Sequence, residues 1–250
     1  QSTNLALALG TKGLVNIQYL IYGGKLYVIE VNPRASRTVP YISKVTGVPM
    51  VELASRVMLG EPLKSMGYGT GLYKTPPYVA VKVPVFSFEK LMDANSYLGP
   101  EMKSTGEVLG VGKDINEALF KGLTASGREL KAPTHPGEMG VLLSVDRHDD
   151  VELVSLAKKL EDLGFKIYAT EHTAERVEPL GIGVVHLKED IGADQERIFK
   201  LMEDGKISFI VYTGALMDDT VYDYIALSRK ALLLNIPCFT SMDTAMASAD

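Results

Sequence analysis

An α/β chain in two parts, a mixed α+β segment followed by a doubly wound parallel sheet, is predicted by three observations. After residue 138 short apolar runs alternate with longer amphipathic stretches, the pattern of strands joined by crossover helices. Before residue 132 the runs instead read as a hairpin and separate strands with helices between them. Between the halves lies Ala132-Pro133-Thr134-His135-Pro136-Gly137, with two prolines, one glycine and no periodicity, which marks a linker. The expected domains are therefore 1–131 and 138–250, joined by 132–137.

Composition bounds the function. A chain of 250 residues, 46% of them hydrophobic, can fill two cores. The single cysteine, Cys238, excludes an internal disulfide and a cysteine-rich zinc site, and suits a reducing cytoplasm. His135, His148, His172 and His186 show no paired metal-ligand spacing. Net charge is −5 with both signs interspersed, so no basic face for nucleic acid is expected. No apolar run approaches the roughly 20 residues of a membrane span, and no signal peptide is visible. A soluble, cytoplasmic protein without nucleic-acid or membrane partners is expected. The chain opens Gln1-Ser2-Thr3, without methionine, on an apolar helical stretch, so a segment of a longer polypeptide is expected.

Residues 14–32 read as a hairpin turning at Gly23-Gly24. Val15, Ile17, Tyr19 and Ile21 share one face of its first strand, and Asn16, Gln18 and Leu20 the other. On the second strand Leu26-Tyr27-Val28-Ile29 leads into Glu30-Val31-Asn32, where Glu30 and Asn32 set a carboxylate beside an amide oxygen. Such a pair suits a hard cation. Pro33 ends the ladder, and Arg34 and Arg37 follow in the exit loop, where their forks could meet phosphate oxygens. Oxygen ligands backed by cations are what a magnesium-bound triphosphate needs. A Glu and an Asn at a strand end can equally cap the next helix, and loop arginines can be solvated. The turn is also open. A two-residue loop sets Gln18 opposite Ile29, whereas a three-residue loop, Gly23-Gly24-Lys25, sets Gln18 opposite Glu30.

Helices follow at 39–45 and 50–59, the second begun by Pro49 and ended by Gly60. Gly67, Gly69 and Gly71 precede no apolar helix and lack a Walker lysine, so a solvated loop is expected. Strands are expected at 79–86, closed by Pro84, and at 104–111, and a helix at 116–129. Beyond the linker strands at 140–145, 166–169, 184–187, 207–212 and 237–239 alternate with helices at 151–163, 174–180, 195–203, 220–234 and 244–249. Ligands of such sheets bind outside the carboxyl ends of the strands. Thr170-Glu171-His172-Thr173 lies at one such end, where hydroxyls and free amides can hold a phosphate. An ordinary N-cap at Thr170 or Thr173 is the competing reading.

The run Glu30-Val31-Asn32-Pro33-Arg34-Ala35-Ser36-Arg37-Thr38-Val39-Pro40, followed by Ser43-Lys44-Val45-Thr46-Gly47-Val48-Pro49, resembles the end of an ATP-grasp domain of carbamoyl phosphate synthetase large subunits. Gly99-Pro100-Glu101-Met102-Lys103-Ser104-Thr105-Gly106-Glu107-Val108 resembles the same subunit just before its C-terminal regulatory domain. The resemblance runs essentially end to end and in order. It implies the C-terminal part of an ATP-grasp domain, α+β, followed by a methylglyoxal-synthase-like allosteric domain. The implied activity is an ATP-dependent ligase making carbamoyl phosphate from bicarbonate, glutamine-derived ammonia and ATP, for pyrimidine and arginine biosynthesis.

That resemblance also implies site residues. Gln18, Glu30 and Asn32 would ligate Mg2+ or Mn2+ at the carbamate-phosphorylating site, Gln18 and Glu30 also touching ATP, with K+ an optional further cation. A shared site selects the three-residue turn or a bulge in the ladder. Arg34 and Arg37 would be catalytic, beside the transferred phosphate. Implied partners are the upstream part of the large subunit, a glutamine amidotransferase small subunit and further copies in an oligomer of the full enzyme. No lysine-bearing strand or glycine-rich loop precedes the hairpin, so this chain by itself is expected to be inactive. Thr170, Thr173 and Lys188 would bind the phosphate of an allosteric nucleotide of the UMP or IMP class.

Three departures stand against that pattern: Asp150 replaces a lysine, Tyr212 an asparagine, and Val83 a carboxylate used for ornithine activation. The pocket loses a positive charge and gains a negative one, which weakens binding of a dianionic phosphate. A stand-alone nucleotide-sensing module is one alternative function. A methylglyoxal-forming lyase is the other. Asp194 matches the catalytic aspartate of that enzyme, but Thr220 replaces its acid histidine, and proton shuttling at neutral pH is hard without it.

Overall fold

The computed structural model describes residues 1–86, 102–128, 130–188, 191–213 and 221–250, the side chains of 147 and 221–223 apart. They belong to two compact units, Gln1–Pro77 and Tyr78–Asp250. The expected linker at 132–137 lies inside the second of these units.

The first unit runs α1 (Ser2–Ala8), β1 (Asn16–Tyr22), β2 (Lys25–Asn32), α2 (Thr38–Thr46) and α3 (Met50–Met58). β1 and β2 form a two-stranded antiparallel sheet. Gly47 closes α2 in the left-handed region at φ 71°, a conformation that only glycine adopts without steric cost. Val39, Val48, Leu53 and Ala54 are its buried apolar side chains, while Ile21, Tyr22 and Ile29 of the hairpin stay exposed. The glycines at 67 and 71 lie in a loop after a short 3-10 turn, with no helix following.

The second unit opens with β3 (Val79–Val85) antiparallel to β4 (Gly106–Gly112), with α4 (Ile115–Ala125) laid across them. Pro84 is tolerated inside β3 because a two-stranded ribbon offers an edge where its missing N–H is not needed. Asp114 caps α4, its carboxylate accepting from Glu117 N at 2.9 Å. The helix stops short of the expected 129, at Ala125, before Gly127 at φ 83°. Its approach to the ribbon is unusually close. A Cβ on Gly110 would lie 1.9 Å from the Ala118 carbonyl oxygen, and one on Gly122 would lie 2.7 Å from Val83 Cγ2.

Then comes the alternation read from the sequence: β5 (Gly140–Ser144), α5 (Asp150–Asp162), β6 (Lys166–Thr170), α6 (Glu171–Val177), β7 (Val184–Leu187), α7 (Gln195–Glu203), β8 (Ile207–Tyr212), α8 (Val221–Leu233), β9 (Cys238–Phe239) and α9 (Met242–Ala249). The five strands are parallel in the order β7-β6-β5-β8-β9. Strand order therefore reverses between β5 and β8, where open α/β sheets form their crevice. α6 starts three residues earlier than expected and ends in a 3-10 turn over Glu178–Leu180, where Pro179 forbids a continuing α ladder.

Each strand alternates sides, so the sheet carries two cores. Val141, Leu143, Ile167, Ala169, Phe209 and Val211 meet α5, α6 and α9 on one face. Leu142, Tyr168, Ile210 and Tyr212 meet α7 and α8 on the other. Val83 and Leu123 join the first of these cores, so the ribbon and α4 are packed onto the parallel sheet. The expected linker is tied down as well: Gly137 N–H donates to Gly164 O at 2.8 Å, and Ser208 Oγ to Lys131 O at 3.1 Å. Those contacts explain why the compact unit begins at residue 78. Among the described residues no helix is long and apolar enough to cross a membrane.

The Gly110–α4 contact leaves no room for a methyl group. Gly110→Ala is expected to lower the unfolding free energy by about 3 kcal/mol, read by urea denaturation. Gly106→Ala, whose new Cβ would meet only Val85 Cβ at 3.9 Å, is the control and should change it by less than about 0.5 kcal/mol.

Candidate functional site

The hairpin turn has two residues, Gly23 and Gly24, both with positive φ (55° and 71°), so Tyr22 pairs with Lys25. That pair of conformations is the tight turn whose twist matches antiparallel strands. Of the two devices expected to align Gln18 with Glu30, a three-residue loop or a bulge, the loop is not the one used. The register is restored elsewhere: Tyr19 pairs with Val28 and Gln18 with Glu30, leaving Ile29 as an extra residue in a β-bulge. One inserted residue returns Glu30 to the face of Gln18, from which a regular ladder would have turned it away.

Three side chains meet there. Gln18 Nε2 donates to Glu30 Oε1 at 2.9 Å, and Asn32 Nδ2 donates to the same oxygen at 2.7 Å. Arg34 curls back over them, its Nη2 3.4 Å from Asn32 Oδ1 and its Nη1 3.0 Å from Ala35 O. Arg37 stands at the N-cap position of α2, exposed. Gln18 and Glu30 are exposed and Asn32 is half-buried, so the cluster is open to a ligand. With only the carboxylate to satisfy, both amides turn their N–H groups inward; half a turn about the terminal torsion presents their oxygens instead. One carboxylate and two amide oxygens fit a hard divalent cation that keeps most of its ligands as water or phosphate oxygen.

The second site lies at the carboxyl ends of β5 and β6. Thr170 and Thr173 are each 1% exposed, and their hydroxyls lie 3.1 Å apart. Thr173 Oγ1 accepts from Val145 N at 3.0 Å, which binds the start of α6 to the end of β5. Thr170 occupies the N-cap position but makes no side-chain capping bond, so the plain capping role is not the one it plays. Thr170 pairs with Leu187 across the β6–β7 ladder, and Lys188 therefore follows at the neighbouring strand end, its side chain exposed and its N–H given to Asp194 Oδ2 at 3.0 Å.

Asp150 does not add a bare negative charge to this pocket, because it is paired with Arg176. Arg176 belongs to no motif of the sequence. Its place three residues after Thr173 on one helix face was the available signal. Nearby, Thr213 Oγ1 donates to Asp149 Oδ2 at 2.8 Å and accepts from Asp146 N at 2.9 Å, which ties the end of β8 to the turn after β5. Tyr212 is buried, its ring 4.7 Å from that of Tyr224. Thr220 lies outside the described residues.

A cavity of about 440 Å³ opens beside β9, lined by Val83, Leu123, Arg128, Tyr224, Cys238 and Thr240 among others, with no carboxylate in its described wall. Val83 is buried there, in the place where the resemblance expected an amine-binding acid. Desolvation pushes the Cys238 thiol up to about 12, so it stays protonated at neutral pH.

Comparison with known proteins agrees with both halves. Residues 1–66 match the family described as carbamoyl-phosphate synthase L chain, ATP binding domain, and residues 152–240 match the MGS-like domain family. The carbamoyl phosphate synthase large chain of Clostridium perfringens (strain 13 / Type A) is 48% identical over 245 residues, 97% of this chain and 22% of its own length. That of Lachnoclostridium phytofermentans (strain ATCC 700394 / DSM 18823 / ISDg) is 44% identical over 243 residues, again 97% of this chain and 22% of its own. A solved methylglyoxal synthase from Elizabethkingia anophelis NUHP1 is 18% identical, covering 45% of this chain and 77% of that one, with a TM-score of 0.36. The chain thus spans about a fifth of the length of the curated relatives it matches.

The buried Thr173 hydroxyl is the acceptor for the Val145 amide, and its loss would strand that N–H. Thr173→Val is expected to cost about 1–3 kcal/mol in a urea unfolding experiment, and Thr173→Ser, which keeps the oxygen, clearly less. Equal costs for the two would show that the methyl contact matters and the hydrogen bond does not.

Proposed function

Since the chain belongs with the carbamoyl phosphate synthase large chains, joining part of their ATP-binding domain to an MGS-like domain, we propose that it carries the metal-binding edge of the ATP site that phosphorylates carbamate, followed by an anion-sensing module. The observation that supports the first part is the convergence of Gln18, Glu30 and Asn32 on one hairpin face. These three side chains would hold Mg2+ or Mn2+ together with phosphate oxygens of ATP. The cation, when bound, offsets negative charge on the phosphoryl group in transfer.

The chain's own residues do the rest. Glu30 supplies the one negative ligand, and the two amides flank it on the shared face. Arg34, anchored by Asn32 and the Ala35 carbonyl, holds a planar donor fork beside that face, and Arg37 adds a second cation one step further along. Both would meet phosphate oxygens and would gain strength as charge builds up in the transition state. The reaction uses bicarbonate, ammonia taken from glutamine by a partner amidotransferase, and ATP, and feeds pyrimidine and arginine synthesis.

A hairpin and two helices cannot enclose a nucleotide. The exposed apolar side chains Ile21, Tyr22 and Ile29 and the unpaired edges of the two-stranded sheet would be covered by the remainder of the ATP-binding domain. In the second unit Thr170, Thr173 and Lys188 gather at adjacent strand ends, which supports a pocket for a phosphate-bearing effector such as UMP or IMP. The described wall of the cavity beside β9 has no acid to receive an amine, so ornithine is not expected to act through it.

These 250 residues by themselves are expected to show no bicarbonate- or carbamate-dependent ATP turnover above the blank. Turnover should appear when the rest of a large chain and its amidotransferase are supplied. In that assembly Glu30→Gln is expected to lower it by about two orders of magnitude or more, followed by coupled release of ADP. Turnover by the chain alone, or an undiminished Glu30→Gln enzyme, would contradict the assignment.

A further inference from the structure

The polar knot at the ends of β5 and β6 holds a cation that the resemblance does not predict. Arg176 has a side chain only 17% exposed. Its Nε donates to His172 O at 2.9 Å, Nη1 to Asp146 O at 3.0 Å, and Nη2 to Thr173 Oγ1 at 3.4 Å. Nη2 also donates to Val145 O, and Nη1 to Asp150 Oδ1. A guanidinium has five N–H groups, and these contacts occupy all of them.

The five acceptors are not equivalent. Three are backbone carbonyls and one is a buried hydroxyl, all fixed by the sheet and by α6. Asp150 is different: it stands at the start of α5 with its side chain 58% exposed, and water and salt compete for it. It can leave without disturbing the backbone. An N–H of Nη1 then becomes free on a guanidinium whose Nη2 lies 3.4 Å from the Thr173 hydroxyl, itself 3.1 Å from that of Thr170.

Resting on the anion-sensing reading of Thr170, Thr173 and Lys188, we propose that Arg176 is the principal cation of this pocket and Asp150 its internal competitor, so that a phosphate group enters by displacing the Asp150 carboxylate from the guanidinium. The positive charge absent from position 150 is thereby supplied from α6. Arginine suits the role, because its fork keeps its fixed bonds to Val145 O and Asp146 O while offering the vacated donor to a phosphate oxygen. The displaced carboxylate stays close enough to repel a dianion, so the wild-type pocket is held at weak affinity.

Calorimetric titration of the 250-residue chain with inorganic phosphate and with a nucleoside monophosphate tests this. Asp150→Asn, which keeps an acceptor for Arg176 but removes the charge, should bind about tenfold tighter than wild type. Adding Arg176→Gln to Asp150→Asn should abolish that gain, with circular dichroism and the urea midpoint used to verify that each variant is folded. Wild-type binding with unchanged affinity in Asp150→Asn would overturn this inference and leave the sensing pocket standing. No binding by either wild type or Asp150→Asn would overturn the sensing pocket and this inference with it.

Discussion

Side chains of a strand alternate between two faces, so one residue of register decides whether a carboxylate faces a ligand or the opposite side of the sheet. In the hairpin of residues 16–32 that decision is made by Ile29. The tight Gly23-Gly24 turn fixes Tyr22 against Lys25, and from there a regular ladder would set Gln18 against Ile29 and turn Glu30 away. The bulge absorbs one residue and reverses the outcome. Two requirements that conflict in a flat hairpin are both met: the turn keeps the geometry that suits strand twist, and the three polar side chains share a face. Bulges are common beside active sites for this reason, since they re-aim side chains without altering the turn.

The second unit applies a different device to the same end. Its central strands are buried on both faces, and at their carboxyl ends Ser144 to Asp150 and Thr170 to Arg176 interlock. Thr173 ties one segment to the other by accepting the Val145 amide, and Arg176 ties them again through two carbonyls. A pocket built this way is rigid in its backbone and adjustable in one exposed carboxylate. In the proposed exchange the charge at the module's mouth would be set by the Asp150–Arg176 pair rather than by a fixed lysine.

Much of this was legible in the residues. Strands β5 to β8 and the helices between them follow from apolar runs of four to six residues separated by amphipathic stretches, because burial on both faces demands uninterrupted hydrophobicity. The sharing of a face by Glu30 and Asn32 follows from strand period alone. The position of the bulge was not legible, because nothing in Tyr27-Val28-Ile29 marks which residue will be left unpaired, although the need to bring Gln18 opposite Glu30 required a bulge or an odd-length loop. Nor was the tight packing of α4 on Gly110, since a glycine in a strand is read as a weakness unless the helix above it is known. Arg176 was hidden by its neighbours: on a helix otherwise rich in glutamate it looks like a solvated charge, and its buried environment comes from β5, far away in sequence.

The central claim is that the Ile29 bulge builds a single cation site from Gln18, Glu30 and Asn32, and it can be tested without turnover. Manganese broadens the resonances of nearby nitrogen-bound protons, so a titration of the nitrogen-15-labelled chain with Mn2+ and ATP reads proximity directly. The account predicts that the side-chain amide signals of Gln18 and Asn32 broaden first and together, and that Glu30→Gln suppresses the effect at both. Broadening at only one of the two amides, or at neither while other surface carboxylates respond, would contradict it.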